Sequence, residues 1–361
     1  MSLEDFDLPN GMVYMMTNQT TENQIVAYRR FDNGTLAIRD QYPTGGQGTG
    51  PASASGIDPL VSQGSLILSH RKRFLFAVNA GSNTITSFRV MQDGGLVRAS
   101  VVPSGGVMPN SLTIHRNILY VTNVGSTSQG IASNITGFSV DRCGVLTMLP
   151  GSTRPLSTAY AQPACILFSP CGRQLVVSEL ANNRLTVFSV AGNGYASIQY
   201  MNTSYGAGPF GLAFRTDSLL LVAEAGANAL SSYWLNADGT LSVISASVPT
   251  GQIATCWVSI NRSGHHAYTS NTGSRTISTY HVSDSGVLTF IRNTYSTAEQ
   301  ADGGAPIDNA ISTNGRYFYV LNGNEGTVSA FKICENGVLA AIQIAGCEDI
   351  PELGTQGLAV I

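Results

Sequence analysis

Short stretches of alternating apolar and polar residues recur along the whole chain, each broken by a polar turn. One phrase, FLFAVNAGSNTITSFRV, begins at Phe74, and variants of it occur six more times. The variants begin at Met12, Ile118, Gln174, Leu219, His266 and Tyr317. Alternation with a period of two, rich in β-branched and aromatic residues, is typical of strands rather than helices. Each phrase therefore predicts two strands joined by a turn that contains Gly or Asn.

Two further strands flank each phrase. After it come a tight turn and a strand, as in ADGTLSV at Ala237 and ENGVLAA at Glu335. The Asp-Gly and Asn-Gly pairs supply the positive φ that two-residue hairpins require. Before the phrase comes a nearly continuous apolar run, such as PACILFS or PFGLAFR, which fits a strand buried on both faces. The repeated unit is thus a four-stranded antiparallel sheet.

The first copy of the phrase lacks the preceding apolar strand. The chain ends in TQGLAVI, which resembles the QGSLILS that precedes the second copy. We therefore predict an all-β fold, a seven-bladed β-propeller in which the C-terminal strand at 355–361 completes the first blade. Such closure protects the edges that an open sheet exposes. The prediction treats residues 1–361 as one propeller domain, and no amphipathic helix pattern supports an α/β alternative.

Composition and charge argue against several classes of protein. The net charge is −3 and the Lys and Arg residues are scattered, so no nucleic-acid partner is expected. No apolar run approaches the roughly 20 residues of a membrane span. The six cysteines show no CxxC spacing and no nearby His pair, and no phosphate-binding loop occurs. We therefore expect neither a metal nor a cofactor, and the sequence makes no prediction of oligomeric state.

The first ten residues, MSLEDFDLPN, are acidic and lack the apolar segment of a signal peptide. The chain as it stands favours a cytoplasmic protein. A secreted protein whose leader has been removed stays open as the alternative.

Residues that end the second strand of each blade form a first ring around one mouth of the channel, here called the top face. The ring consists of Asn18, Asn79, Asn123, Glu179, Glu224, Asn271 and Asn322. Amides at such positions usually cap turns, whereas Glu has no comparable preference. Glu179 and Glu224 are therefore candidate catalytic residues. The amides taken as substrate-binding candidates are Asn79, Asn123, Asn271 and Asn322.

A second ring begins the inner strands at the same mouth. It includes Gln63, Asn110, Cys165, Phe210, Cys256, Trp257, Asp308 and Gln356. Trp257 and Phe210 are expected to form the aromatic wall of a ligand pocket, with Gln63 and Cys165 beside them. Asp308 is the third catalytic candidate. A core plug is the alternative for Trp257, and a strand cap is the alternative for Asp308.

Three long connections are expected to emerge at the top face, at 45–61, 150–162 and 296–305. Long loops on one face of a rigid scaffold usually carry function. They contain Asp58, Tyr160, Gln162, Glu299 and Asp302. Tyr160 is the substrate-binding candidate among them. All five histidines fall on lower turns or outer strands, so the top face is expected to lack the most natural base at neutral pH.

The chain resembles the lactonase-like seven-bladed propeller family, which includes 3-carboxy-cis,cis-muconate lactonising enzyme. The resemblance covers nearly the whole chain and rests on stretches such as LFAVNAGSNTITSFRV, ILFSPCGRQLVVSELANNRLTVF and ATCWVSIN. Lactonase-type members carry Pro-Arg-His at an inner strand and Asn-Glu after the next one. Here the matching residues are Pro163-Ala164-Cys165 and Ser178-Glu179. The Glu is kept but the Arg and His are not, which weighs against lactone hydrolysis.

Three functions follow from these features. The first is a cofactor-free cyclase or isomerase of the muconate-cyclase or hetero-Diels–Alder type, acting on a small, largely apolar molecule. Ring formation needs no nucleophile, because holding the reacting ends together already lowers the barrier. The second is a lactone hydrolase with Glu179 or Glu224 as its base. The third is a propeller that binds a ligand or a protein without catalysis.

Overall fold

The computed structural model describes residues 11–51, 57–297, 304–346 and 350–361. Its strands form seven antiparallel sheets within this part of the chain. Blade 1 begins with β1 (Met12–Met16), β2 (Gln24–Arg30) and β3 (Leu36–Pro43). Blade 2 contains β4 (Leu66–Leu68), β5 (Phe74–Asn79), β6 (Thr84–Val90) and β7 (Leu96–Pro103). Blade 3 contains β8 (Pro109–His115), β9 (Ile118–Asn123), β10 (Asn134–Val140), β11 (Leu146–Met148) and the short β12 (Arg154–Pro155).

The remaining blades repeat the same order from the inside outward. Blade 4 contains β13 (Pro163–Phe168), β14 (Gln174–Glu179), β15 (Arg184–Val190) and β16 (Ala196–Thr203). Blade 5 contains β17 (Pro209–Phe214), β18 (Leu219–Glu224), β19 (Ala229–Leu235) and β20 (Leu241–Pro249). Blade 6 contains β21 (Thr255–Ile260), β22 (His266–Asn271), a 3₁₀ turn (Thr272–Ser274), β23 (Thr276–Val282) and β24 (Leu288–Tyr295). Blade 7 contains β25 (Pro306–Ile311), β26 (Tyr317–Asn322), β27 (Thr327–Ile333) and β28 (Leu339–Ala345).

The last strand, β29 (Leu358–Val360), completes blade 1 as the innermost strand. It runs antiparallel to β1, with Tyr14 opposite Ala359. The backbone N–H of Ile361 donates to the carbonyl of Met12 at 2.8 Å, which extends the pairing to the chain end. The prediction of a seven-bladed all-β propeller closed by its C-terminal strand is therefore confirmed.

Tyrosine hydroxyls join neighbouring blades on their lower side. Tyr14 donates to the carbonyl of Gly94 in the next blade at 2.8 Å, and Tyr120 donates to Gly194 at the same distance. Tyr268 and Tyr319 repeat this contact at 2.9 Å with Gly337 and Gly34. Each acceptor lies in the hairpin between the two outer strands of a blade. These buried hydrogen bonds fix the angle between blades, since an unsatisfied carbonyl there would be costly.

Five of the inner strands are irregular where they leave the top face. Register shifts occur near the first residues of β8, β13, β17, β21 and β25. A bulge bends a strand and turns the side chain of the extra residue out of the regular alternation. The top end of the channel is therefore built from side chains that the period-two pattern does not place. In the part of the chain that the structure describes, no helix has the length and apolarity needed to span a membrane.

Candidate functional site

The connection that leads into β4 crosses the top of the channel and forms its plug, residues 57–64. The carbonyl of Ser62 accepts hydrogen bonds from the indole of Trp257 in blade 6 at 3.0 Å and from the amide of Gln356 in blade 1 at 2.8 Å. The Ser62 hydroxyl donates to the carbonyl of Asn110 in blade 3 at 2.7 Å. A single residue of the plug thus ties three blades together.

Gln63 connects the plug to the remaining side of the ring. Its backbone N–H donates to the carbonyl of Ala164 in blade 4, and its side-chain amide donates to the carbonyl of Leu212 in blade 5, both at 2.9 Å. Its side-chain oxygen accepts from the N–H of Val258 in blade 6 at 2.9 Å. A Cβ at Gly211 would collide with that oxygen, so glycine is required there. Gln63 was expected to bind substrate, and the structure places it as a cross-link inside the channel.

Trp257 and Phe210 lie together beneath the plug. Their side chains are 1% and 2% exposed, and their rings meet edge to face with centroids 5.1 Å apart. The indole N–H already has a partner in Ser62. The two rings therefore fill the channel core. This agrees with the alternative in which Trp257 is a core residue, and contact of the two rings with a substrate stays a prediction.

Asp58 is one of the buried polar residues at this mouth whose hydrogen bonds are incomplete, and the one that carries a carboxyl group. The residue is half-buried, and its Oδ1 atom is shielded from solvent without a hydrogen-bond donor among the described residues. Burial raises the pKa of Asp58 to about 7, although Gln356 and the backbone of Val61 and Ser62 favour the ionised form. An unsatisfied buried carboxyl oxygen in a native fold calls for an explanation, such as a catalytic role or a bound water. A carboxyl group with a pKa near 7 can both take and return a proton at neutral pH.

The backbone beside Asp58 is strained. Val61 has a φ of +48°, which is a genuine outlier for a β-branched residue. The turn at this residue directs the backbone of Val61 and Ser62 toward the Asp58 carboxyl group. Strain of this kind is retained where the surrounding structure holds it, commonly at functional sites.

Asp308 lies near Asp58 in the channel and is 3% exposed. Its Oδ2 atom accepts a hydrogen bond from the N–H of Leu358 in the closing strand at 3.2 Å. Burial, followed by the nearby charge of Asp58, raises the pKa of Asp308 to about 8. As pH rises, Asp58 therefore ionises before Asp308 does. Two close carboxyl groups titrate as a pair, so these values belong to the pair.

Two thiols lie near the acidic pair. Cys256 is buried, and burial together with the charge of Asp58 raises its pKa well above the usual value. Cys165 is also buried, and burial raises its pKa to about 12. Both stay protonated at neutral pH, so neither is an activated nucleophile. Cys165 was expected to contact substrate, and it lies in the channel wall below the plug.

An apolar rim lies on the channel core at the plug, which also carries Asp58. It consists of Ile57, Val61, Leu180, Ala225 and Ala254, which are half-buried and pack on the buried cluster that contains Trp257 and Phe210. The rim draws on the plug and on blades 4, 5 and 6. None of its five side chains carries a charge, so it suits a neutral, apolar ligand.

Glu179 lies at the expected position but is fully buried in its own loops. It accepts hydrogen bonds from the hydroxyl of Thr186 at 2.6 Å, the N–H of Ser157 at 3.2 Å and the amide of Asn182 at 3.4 Å. The Ser157 hydroxyl donates to it as well. This carboxylate joins the 150–162 connection to blade 4.

Glu224 is likewise buried and hydrogen-bonded. It accepts from the N–H of Gly206 at 2.9 Å, the hydroxyl of Ser247 at 2.6 Å and the hydroxyl of Tyr233 at 3.4 Å. To act as a base, either Glu would have to give up such bonds. The catalytic role expected of Glu179 and Glu224 stays a prediction, beside the structural role that their contacts show.

Replacing Glu179 by Gln separates these two roles. The change places an amide N–H₂ group opposite two of the four donors, so we expect a loss of about 1–3 kcal/mol in the free energy of unfolding. Turnover per folded molecule should change little. Urea unfolding and a rate measurement on the same sample test this. A 100-fold loss of turnover with unchanged stability would instead show that Glu179 is the base.

Three of the four amides taken as substrate-binding candidates make one repeated contact. In three blades the amide nitrogen donates to hydroxyl groups on the neighbouring strand, five and seven residues further along the chain. These bonds are Asn79 to Thr84 and Thr86, Asn271 to Thr276 and Ser278, and Asn322 to Thr327 and Ser329, all within 3.1 Å. Asn123 donates instead to the side chain of Asn134 at 2.9 Å. All four are buried, as the turn-capping alternative expects.

The long connections are only partly described. Tyr160 is 43% exposed on the top face, and Tyr205 and Ile253 are exposed in the corresponding connections of the next two blades. Tyr160 is therefore accessible to a ligand, as expected. Glu299 and Asp302 lie outside the described residues. Among the residues that are described, no three His, Cys, Asp or Glu side chains are grouped so that they could hold a metal ion.

The buried acids have a measurable effect on stability. Asp308 keeps its proton in the folded state up to about pH 8, whereas the unfolded chain loses it at the ordinary aspartate pKa of 3.8. The folded state therefore binds more protons between these values, so stability falls as pH rises and the contribution is gone above pH 8. Asp58 acts in the same direction up to about pH 7.

We expect Asp308→Asn to flatten this dependence. The amide keeps the shape but cannot ionise, so the variant should lose roughly 2 kcal/mol less than the wild type between pH 6 and pH 8. Urea unfolding at both pH values gives the difference. Equal slopes in the two proteins would show that Asp308 is already ionised at neutral pH.

The sequence matches a family of known proteins along most of its length. A family model described as "Lactonase, 7-bladed beta-propeller" matches residues 6–149, 129–259 and 239–345. No curated protein matches the sequence significantly.

Solved structures share the architecture at low sequence identity. A 6-phosphogluconolactonase candidate from Bacteroides fragilis NCTC 9343 has a TM-score of 0.73 and 18% identity, with all of both chains covered. The periplasmic gluconolactonase of Pseudomonas aeruginosa has a TM-score of 0.71 and 18% identity over 97% of this chain and 99% of its own. A protein from Lactobacillus plantarum has a TM-score of 0.73 and 17% identity over 98% and 99%. At this identity the structures show a shared fold. Together with the family match along most of its length, they show that the chain belongs to the seven-bladed β-propeller lactonase family.

Proposed function

We propose that the protein hydrolyses a small, neutral, largely apolar lactone at the top mouth of the channel, with Asp58 as general base. The observation that carries the proposal is the Asp58 carboxyl group. It has a pKa of about 7 and an Oδ1 atom without a donor among the described residues, beside an apolar rim. Membership of a lactonase family and the named gluconolactonase neighbour support hydrolysis over ring formation.

The chemistry needs one group that both removes and returns a proton. Ionised Asp58 takes a proton from water while the water oxygen bonds to the lactone carbonyl carbon. The tetrahedral intermediate then collapses, the ring C–O bond breaks, and the ring oxygen receives the proton from Asp58. The product is a hydroxy acid and the carboxylate is regenerated. General catalysis of this kind typically contributes 10²–10⁴-fold.

Asp308 supports this role by staying protonated. Burial keeps its proton up to about pH 8, so the channel holds a single negative charge when Asp58 ionises. A second negative charge nearby would raise the pKa of Asp58 further. A smaller fraction of Asp58 would then be ionised, and so able to act as a base, at neutral pH. Asp308 is therefore a positioning residue in this proposal.

The rim determines the class of substrate. Ile57, Leu180 and Ala254 offer apolar surface, while no rim side chain offers a cation. A phosphorylated lactone, which the name 6-phosphogluconolactonase implies for the Bacteroides neighbour, would bring charge that this rim does not neutralise. We therefore propose alkyl- or aryl-substituted lactones.

Incubation with a panel of such lactones, followed by mass analysis, tests the proposal. We expect products heavier than the substrate by one water, formed by the wild type and far more slowly by Asp58→Asn. Addition of a charged phosphoryl group to a turned-over lactone should abolish turnover. Failure to open any neutral lactone at protein concentrations that exclude slow turnover would contradict hydrolysis.

A cofactor-free cyclase is the second candidate. The channel wall carries Ala164 and Cys165, both buried, where the family's lactonase-type members have Arg and His. An apolar mouth without these groups suits a reaction driven by holding the ends of one molecule together. A product isomeric with its substrate would favour this candidate, and binding without a mass change would favour a propeller that only binds.

A further inference from the structure

A second cleft lies on the lower face, at the opposite end of the propeller from Asp58. It opens between blades 2 and 3, has a volume of about 570 Å³, and is lined by turns of both blades. Arg73 and Phe74 enter it from the start of β5, Arg89 from β6, and Arg142 from the β10–β11 hairpin. Met91 adds to its apolar lining. The lactonase proposal gives no role to these residues.

The positive charge of this cleft is not neutralised from within. No carboxylate is paired with Arg73, Arg89 or Arg142 in the residues that the structure describes. Asp93 lies in the wall, but its carboxylate binds Arg39 at 2.6 Å and the N–H of Gly95 at 3.0 Å. Three arginines therefore line one small volume together with one carboxylate, Asp93, which is already paired with Arg39.

The walls of the cleft are held in place. The Arg73 guanidinium carbon lies 5.5 Å from the centre of the Phe74 ring, which is a cation–π contact. Gly144, in the hairpin that carries Arg142, packs directly on Phe74, and a Cβ there would lie 2.8 Å from the ring. Its φ of +88° also favours glycine. The hairpin is thus fixed against the floor of the cleft, which lowers the entropy lost on binding a ligand.

The repeat supplies an internal comparison. The corresponding groove between blades 4 and 5 has a volume of about 400 Å³ and is lined by Arg173, Gln174, Ser189 and Ala237. These take the places of Arg73, Phe74, Arg89 and Arg142. The same groove also contains Asp217. The shape of the groove is therefore a property of the repeated blade. The three arginines and the aromatic floor occur in the blade 2–3 cleft and not in the blade 4–5 groove.

We propose that the blade 2–3 cleft binds a small phosphate monoester with a flat apolar body. The phosphate would lie among the three guanidinium groups, whose planar donors suit its oxygens, and the apolar body would pack on Phe74 and Met91. A phosphate dianion gains from several cations, whereas a single carboxylate gains less. This makes the lower face a second binding site, separate from the mouth that contains Asp58.

Calorimetric titration with phenyl phosphate tests the proposal, with inorganic phosphate and benzoate as comparison ligands. We expect phenyl phosphate to bind most tightly and its affinity to fall with added salt. The double variant Arg89→Ser, Arg142→Ala, which copies the side chains of the blade 4–5 groove, should weaken binding about tenfold or more. Both side chains are exposed, so the melting temperature should not change.

The matched control is Arg173→Ser with Arg262→Ala. It removes the same number of positive charges, one from the blade 4–5 groove and one from the groove between blades 5 and 6, which Arg262 lines. We expect it to bind phenyl phosphate as the wild type does. An equal loss of affinity for phenyl phosphate in both double variants would show that binding depends only on the net charge, and would overturn the proposal. So would inorganic phosphate or benzoate binding as tightly as phenyl phosphate, or no binding by the wild type.

Discussion

Asp58→Asn should lower the turnover of a hydrolysed lactone by about 100-fold or more, because the amide cannot accept the proton from water. The protein should fold as before, since Asn has nearly the same shape and removes a carboxyl group that is costly to ionise in this position. The effect should appear in kcat, while KM changes little, because the apolar rim still binds the substrate. Steady-state kinetics at pH 8 measure both constants.

The matched control is Glu179→Gln in the same assay. Both variants replace a carboxyl by its amide at the top of the propeller, but Glu179 is hydrogen-bonded within its own loops. Loss of turnover in Asp58→Asn and its retention in Glu179→Gln would support Asp58 as the base. The reverse result would return the catalytic role to Glu179 and refute the proposed site.

Removal of residues 354–361 should prevent the formation of a soluble, cooperatively folded protein. The deletion takes away β29, whose loss leaves β1 as an unpaired inner edge, and an exposed apolar edge promotes aggregation. It also removes Gln356, which donates to Ser62 at 2.8 Å and accepts from Leu60 at 2.9 Å. The N–H of Leu358, the partner of Asp308, is lost as well. Size-exclusion chromatography and thermal unfolding give the outcome.

The single variant Gln356→Ala separates the two causes. It breaks the bonds to the plug but keeps the closing strand, so we expect a soluble protein that is less stable by about 1–3 kcal/mol. A truncated chain that stays monomeric and melts cooperatively would contradict the importance of strand closure.

The fold could be predicted from the sequence because the same strand pattern recurs along the chain. Seven copies of one pattern fix the strand order, and the match between TQGLAVI and QGSLILS identifies the closing strand. The same repetition could have explained Glu179. A hydroxyl residue follows seven positions after Asn79, Asn271, Asn322 and Glu179 alike, and it is hydrogen-bonded to each of them. That spacing marks a link between two strands of one blade.

The site could not be predicted in the same way, because the plug occurs once. In the sequence Asp58 is only one residue of a long loop, and nothing near it shows that residues 57–64 enter the channel. Trp257 gave a partial signal, since a large side chain at an inner position must fill space. The space it fills lies beneath Ser62, and this depends on contacts between blades 2 and 6 that are distant in the sequence.

The pH dependence of kcat/KM for a hydrolysed neutral lactone tests the central claim most directly. If Asp58 is the base, the wild-type rate should rise with pH and level off through a midpoint of about 7, as its pKa requires. The residual rate of Asp58→Asn should lack that rise, while Glu179→Gln should keep it. A wild-type profile that is already level at pH 5, or one whose midpoint is unchanged in Asp58→Asn, would contradict the assignment of the reaction to Asp58.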